Sequence, residues 1–456
     1  MPCHLSLNQL AQLLSLQDKG DISLSHDSLV SGINTDSRSI ESGQAFLALK
    51  GDNFNGHDFI GMAIEKGAAA LIVEQPVSVN YSSNIPVFLV QNTLETYQQL
   101  AHWWRNQFTI PVIAITGSVG KTTTKELIAS VLATQGKVHK TLANYNNEIG
   151  VPKTLLELDE THDSAVIEMG MRGRGEIALL AQIAQPTIAV ITNVGTAHIG
   201  RLGSESAIAE AKCELLAESP SSSIAVLNYD HPLLTETAKR VWQGETITYG
   251  FSGGDIVGEL LDLTTLRVNG LDFNLPLSGR HHALNFMAAL AVAKILGIDW
   301  TSLQQGIKVN LPSGRAKRYQ LTPDILLLDE TYNAGLESML AALDLLKATP
   351  GQRHIAVLGT MKELGSFSEQ LHRQVGERVQ KLGIDRLFVL VDDPEAKFIA
   401  DSATGVNCEC FQTHADLINR LKEVIDSGDR ILCKASHSVG LNRVVEELIS
   451  DKLFII

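Results

Sequence analysis

From residue 110 onward the chain repeats one unit, a short run of apolar, largely β-branched residues followed by a longer stretch of helical periodicity. The runs "PVIAIT" (111–116), "SAVIEMG" (164–170), "TIAVITNVG" (187–195) and "SIAVLNYD" (223–230) are continuous rather than alternating. Strands of that kind are buried on both faces, which predicts a parallel sheet covered by helices. Between 244 and 278 the rhythm breaks. There "LTTLRVNGLDFNL" reads as a hairpin, because Asn269-Gly270 readily take the positive φ angles of a tight turn. A long helix is predicted over 282–297, and "NLPSGRAKR" (310–318) reads as a connection. "DILLLDET", "HIAVLGTM", "RLFVLV" and "RILCKAS" then alternate with helices as a second open α/β sheet. Residues 1–108 mix short strands ("QAFLAL", "AALIVE") with a helix in "HDFIGMAIEKGA" that stops at Gly67. The expected architecture is α/β in three domains, 1–108, 109–311 and 312–456.

A length of 456 residues fits three domains. Charge changes the picture more than size does. With 37 basic against 51 acidic residues the net charge is −14, which disfavours bulk attraction to nucleic acid or anionic membrane. The cysteines Cys3, Cys213, Cys408, Cys410 and Cys433 are odd in number and contain no C-x-x-C, so a disulfide framework and a zinc site are not expected and a reducing, cytoplasmic setting is. The N-terminus lacks a basic leader with an apolar core, and the longest apolar stretch, "FMAALAVAKILGI", carries Lys294 and is too short to span a bilayer.

The candidate chemistry begins in "VIAITGSVGKTTTKEL", where a strand runs through Thr116-Gly117-Ser118-Val119-Gly120-Lys121-Thr122-Thr123 into a helix. A glycine-rich turn at a helix N-terminus turns its backbone N–H groups and the positive end of the helix dipole toward an anion. Lys121 can reach terminal phosphates, the Thr122 hydroxyl can ligate Mg²⁺, and Thr123 backs up the loop. The spelling departs from G-x-x-x-x-G-K-[ST], because Ile115 stands where the first glycine belongs. Glu168 ends the next strand-like run, where a parallel sheet presents its binding edge, and is a hard oxygen ligand for the Mg²⁺ that accompanies ATP.

T-G-[ST]-x-G-K-T, "NVGTAHIG" and "AKCE" together resemble the Mur ligase family, ATP-dependent amide-forming enzymes of peptidoglycan synthesis and their folate-linked relatives. The resemblance implies that His198 and a carbamylated Lys212 join Glu168 in organising a second Mg²⁺. A lysine ammonium cannot ligate a cation, whereas a carbamate offers two anionic oxygens. "SGRHHALNFMAALAVA" resembles the family's H-N-x-x-N stretch near the nucleotide, with His281 and Asn285 matching and His282 replacing an asparagine. Arg315 matches a Gly-Arg that contacts ATP phosphates. "LLLDETYNAGLESM" matches D-[DS]-x-Y-N-A at Asp329, Tyr332 and Asn333, with Gly335 where a bulkier residue is usual. "CKASHSVG" keeps Lys434 and Ser436 of Lys-Gly-Ser-Arg but has Ala435 and His437 at the other two places.

In the first domain, "TDSRSIESGQAFLALKGDNFNGHDF" is similar to the segment that holds a uridine diphosphate, with Ser37 and Arg38 as the candidates, and "NYNNEIGVP" brings Asn146 and Asn147 toward the substrate. Within the family the combination of "DSRSIESG", "EMGM", "TYNA" and "GTMKELG" looks most like the members that add D-alanyl-D-alanine to UDP-N-acetylmuramoyl-tripeptide, and the Asp-Asn-Pro-Arg of the members that add diaminopimelate does not occur. The resemblance then implies an acyl-phosphate mechanism, ATP and Mg²⁺, a monomer, and closure of the third domain about a hinge near 311–314. Two rivals are a folylpolyglutamate synthase, which the uridine-type first domain argues against, and a nucleotide switch, which needs one Mg²⁺ rather than two.

Overall fold

The computed structural model describes residues 3–14, 28–77, 85–321 and 324–451. Among the described residues, three sheets of four, nine and six strands each carry one α/β region. In the first, Ile33–Asn34, Ala45–Leu47, Ala70–Val73 and Val87–Leu89 lie parallel in that order. The helix Thr93–Arg105 follows, started by Asn92, whose side chain accepts from the N–H groups of Leu94 and Glu95. It anchors this region to the next through buried polar bonds. Trp104 Nε1 donates to Leu158 O at 3.0 Å, and Arg105 Nε donates to Ala184 O at 2.8 Å. The stretch read as a helix from His57 is a 3-10 turn, Gly56–Phe59, leading into a short α-helix, Ile60–Glu65.

The central sheet has the order Val138–Lys140, Ser164–Glu168, Val112–Thr116, Ile188–Ile191, Ile224–Asn228, Thr246–Gly250, Ile256–Leu260, Thr265–Val268, Leu271–Asn274. All pairings through Ile256–Leu260 are parallel. Val112–Thr116 and Ser164–Glu168 are buried at every residue, as their unbroken apolar runs require. The hairpin forms as expected, with Asn269 and Gly270 at φ 51° and 79°. It does not interrupt the sheet but extends it, because Ile256–Leu260 pairs on one side with the parallel strands and on the other with Thr265–Val268. The long helix is Arg280–Ile295, packed along the helix Lys121–Leu132 that follows the phosphate loop.

The third sheet orders Lys317–Leu321, Ile325–Asp329, Asp429–Lys434, Arg353–Leu358, Arg386–Leu390 and Asn407–Phe411. The first pair is antiparallel and the rest are parallel. Lys317 and Arg318, read as part of a connection, begin its antiparallel edge strand. No helix among the described residues is long and apolar enough to cross a membrane.

Candidate active site

The site follows from where Val112–Thr116 sits in the central sheet. Its neighbours on the two sides, Ser164–Glu168 and Ile188–Ile191, both follow it in sequence, so the strand order reverses beside it and the loop leaving its C-terminal end emerges at a switch point with open space above it. A cleft of about 980 Å³ opens there, and its far wall comes from the third sheet. Ser118, Val119, Gly120, Lys121, Thr122, Thr123, Glu168, Asn146, Asn147, His198, Asn285, Arg315, Tyr332 and Asn333 all line it.

The glycines of the loop are dictated by contact. A Cβ on Gly117, at φ 155°, would fall 1.9 Å from Thr192 Oγ1. On Gly120, at φ 82°, it would fall 2.8 Å from Asn285 Oδ1, so the loop and the Arg280–Ile295 helix meet with no room for a side chain. The segment 192–195 holds the loop in place. Thr192 Oγ1 and Asn193 Nδ2 donate to Val119 O at 2.7 and 2.9 Å, and Gly195 N donates to Ser118 Oγ at 2.8 Å. Asn193 Oδ1 accepts from Val119 N at 3.0 Å. Lys121 Nζ donates back to Gly117 O at 2.6 Å.

Glu168 is 2 % exposed. Its Oε1 accepts from Asn146 Nδ2 at 2.8 Å, while its buried Oε2 has no hydrogen-bond partner. Lys125, which the motif reading passed over, lies 3.6 Å from that oxygen and donates to Thr141 O at 2.8 Å. Its helical position one turn after Lys121 is the sequence signal that points it at the same strand end. His198, at φ 65°, has Nδ1 2.7 Å from Glu363 Oε2 but off the line of a hydrogen bond. Among the described residues no three His, Cys, Asp or Glu side chains gather as a metal cage. A free carboxylate oxygen beside a phosphate loop with a threonine hydroxyl instead fits Mg²⁺ held mainly by a nucleotide's phosphates.

Not every expected residue reaches the cleft. Lys212 is buried at 1 % exposure, behind the lining. Burial, and then the charge of Lys121, push its ammonium well below the usual lysine range. Asp329 is buried, its Oδ1 accepting from Thr331 N and Oγ1 at 3.1 and 2.6 Å. Gly117 lies under the loop rather than in the lining. Ser37 and Arg38 stand outside the cleft. Arg38 is exposed and paired with Asp36, whose carboxyl it holds down to about 2, with Lys153 of the central region adding a smaller pull.

On the far wall, the Arg315 guanidinium stacks 4.0 Å above the Tyr332 ring, and its buried Nε has no partner. Lys434 Nζ donates to Asn333 O at 2.9 Å, and Ser436 Oγ accepts from Lys362 N at 2.9 Å. Ala435, where the family pattern has glycine, is fully buried, and the His437 ring lies 5.7 Å from that of Tyr332. The His281 and His282 rings lie 3.9 Å apart, tilted by 45°, and neither ring nitrogen of buried His282 has a partner. Burial holds His281 down to about 4 and His282 well below its usual value, so both are neutral.

Both walls of the cleft carry cations, Lys121 on one and Arg315 and Lys434 on the other, set among carboxylates that include Glu168 and Glu330. Burial lowers Lys121 first, with Glu168 opposing and Arg315 adding to the fall; burial lowers Lys434 first, with Glu330 opposing and Arg315 again depressing it. Cations that depress one another from two walls form a site for a polyanion, which would relieve the repulsion. Lys125, Asn193, Glu337, Lys362 and Glu363 were not singled out in the sequence, and all but Lys125 and Asn193 belong to the third region.

Family models match along the chain: "Mur ligase family, catalytic domain" over 29–103, "Mur ligase middle domain" over 115–293 and "Mur ligase, glutamate ligase domain" over 314–437. A UDP-N-acetylmuramoyl-tripeptide–D-alanyl-D-alanine ligase of Synechocystis sp. is 57% identical over 94% of both chains. Its counterpart in Bacillus subtilis is 36% identical over 93% of this chain and 94% of its own. Among solved structures, MurF of Acinetobacter baumannii is 32% identical with a TM-score of 0.88, covering 99% of this chain and 100% of its own. MurF ligase of Thermotoga maritima in complex with ADP is 32% identical at TM-score 0.81, covering 91% of this chain and 96% of its own. With all three family models matched in order, and relatives of 57% and 36% identity along nearly its whole length, the chain belongs to the Mur ligase family.

Proposed function

We propose that the protein is the cytoplasmic, ATP-dependent ligase that joins D-alanyl-D-alanine to UDP-N-acetylmuramoyl-tripeptide in peptidoglycan precursor synthesis. The observation that carries this reading is the two-walled cleft, with the phosphate loop and Lys121 on one wall and Arg315, Tyr332, Asn333 and Lys434 on the other. The 57% identical relative is named for that reaction. The working division of the chain is 1–108 for the sugar nucleotide, with Ser37 and Arg38, 109–311 for ATP, and 312–456 for the incoming dipeptide. The enzyme acts as a monomer.

A free carboxylate has no adequate leaving group, so amide formation needs activation. One terminal carboxylate oxygen of the tripeptide attacks the γ-phosphorus of ATP; the bond to the β-bridging oxygen breaks, giving an acyl phosphate and ADP. The neutral amine of D-alanyl-D-alanine then adds to the acyl carbon. The tetrahedral intermediate loses a proton from nitrogen and expels phosphate, leaving the amide. The N–H groups of Gly120–Thr122 and the Lys121 ammonium hold the transferred phosphoryl group, and Arg315 offers a second cation from the opposite wall. Thr122 and Glu168 would hold Mg²⁺, which offsets phosphate charge when bound. His198, with Lys212 as its carbamate, would hold a second cation. A buried lysine whose amine is neutral is the form that takes up CO₂, and the depressed Lys212 supports this assignment. Asn285 and Tyr332 flank the nucleotide, Asn146 orients Glu168, and Asn147 lines the route toward the sugar peptide. Asp329 belongs to the nucleotide side of the cleft and shapes the Thr331–Asn333 turn, its Oδ1 accepting from Thr331 Oγ1 at 2.6 Å.

Closure of the third region over the second keeps water from the acyl phosphate. Phosphate release should require the UDP-muramoyl tripeptide and D-alanyl-D-alanine together. Equal release with a folate and glutamate, or with nucleotide alone, would overturn the assignment.

A further inference from the structure

The loop that clips the phosphate loop is gripped from its other side by the third region. Glu337 is the second residue of the helix Leu336–Ala348, whose N-terminus faces the cleft. Its Oε1 accepts from Thr196 N at 2.7 Å and its Oε2 from Thr196 Oγ1 at 3.3 Å. Thr196 is 4 % exposed, so this contact is shielded from water. A Cβ on Gly195 would come 2.5 Å from Glu337 Cδ, so a side chain there would push the carboxylate aside. The same Gly195 bonds Ser118 of the phosphate loop, and His198 lies two residues beyond Thr196.

A first-turn glutamate ordinarily needs no partner beyond its own helix dipole. This one instead turns its carboxylate across the cleft onto another region's backbone, a charge-assisted contact with two fixed directions. We propose that Glu337 is a positioning residue, docking the helix Leu336–Ala348 and the Tyr332–Asn333 turn before it onto Thr196, and thereby setting the distance between the two walls. The proposal rests on the ligase reading for its kinetic consequence but not for the docking itself. The charge of Glu337 also reaches Lys212 and His231, opposing the burial that depresses both.

The test compares Glu337→Ala, Glu337→Gln, Gly195→Ala and the pair Gly195→Ala with Glu337→Ala, in the full chain with ADP and Mg²⁺. Hydrogen exchange over 192–200 reads the docking, and steady-state kinetics read its use. Glu337→Ala should speed exchange over 192–200 and lower kcat by about 10- to 100-fold, as expected of misplaced reacting groups. Glu337→Gln keeps an oxygen for the Thr196 N–H and should restore most of both. Gly195→Ala drives a methyl group against the carboxyl and should match Glu337→Ala, and the double variant should be no worse than either alone. Unchanged exchange in Glu337→Ala, a Gln variant as impaired as the Ala variant, or additive losses in the double variant would each overturn the docking. Altered exchange with no tripeptide-dependent turnover in the parent protein would overturn the ligase reading while leaving the docking intact. Gly195→Ala reads the contact from the central region, so the test survives a Glu337 variant that does not fold.

Discussion

Lys121 Nζ closes back on Gly117 O at 2.6 Å, so the cation of the phosphate loop is spent on its own turn until a phosphate takes it. Replacing the side chain removes the cation without touching the core. Lys121→Ala should keep the fold and lose phosphate release by about 10²–10³-fold or more, the usual scale for one missing electrostatic donor. Circular dichroism checks the fold and a phosphate assay the loss; near-normal release by folded variant would refute the role.

Arg315 pairs with Tyr332 by stacking, and a lysine cannot reproduce a planar stack. Arg315→Lys should therefore recover little of the activity lost in Arg315→Ala, whereas Tyr332→Phe should keep most of it. Equal rescue by lysine would make Arg315 a plain point charge. The readout is kcat/KM for ATP, with the Ala variant expected at a loss of about 2–4 kcal/mol in transition-state stabilisation.

Lys212 is buried, and burial together with the charge of Lys121 favours its free amine. Lys212→Ala should be nearly inactive and partly restored by formate or acetate, small carboxylates able to stand in for a carbamate. Carbon-13 NMR of protein equilibrated with labelled bicarbonate should show a carbamate carbon that the variant lacks. An amine that stays bare in fully active enzyme would remove this assignment.

His282 is buried and His281 half-buried in the cleft wall, and both are held neutral, His281 down to about 4. Below their unfolded value of about 6.5 the unfolded chain binds protons that the folded one refuses. Their contribution to stability is thus present above pH 6.5 and lost as pH falls toward about 4. The melting temperature should fall over that window, and His282→Asn combined with His281→Gln should flatten the fall. Parallel melting curves for parent and variant would contradict it.

The phosphate loop was legible because its chemistry is contiguous. Glycines, lysine and threonine lie within a few residues, between an apolar strand run and a helical stretch. The Asn269-Gly270 turn was legible for the same reason. Long-range geometry was not. That the hairpin would extend the central sheet depended on Ile256–Leu260 finding Tyr249–Gly250, a pairing that no local pattern encodes. The Arg318 segment read as a connection because an exposed edge strand carries no apolar run. Lys125 needed Glu168 as a neighbour before a buried charge made sense. That the Asp329 carboxylate would turn onto Thr331 depended on packing. Glu337 and Thr196 stand 141 residues apart, and only the packing of two α/β regions brings them together. Sequence by itself determines what each strand end carries, because side-chain chemistry and local backbone preference are short-range. The fold decides which strand ends face one another, because that depends on burying whole sheets and helices against each other.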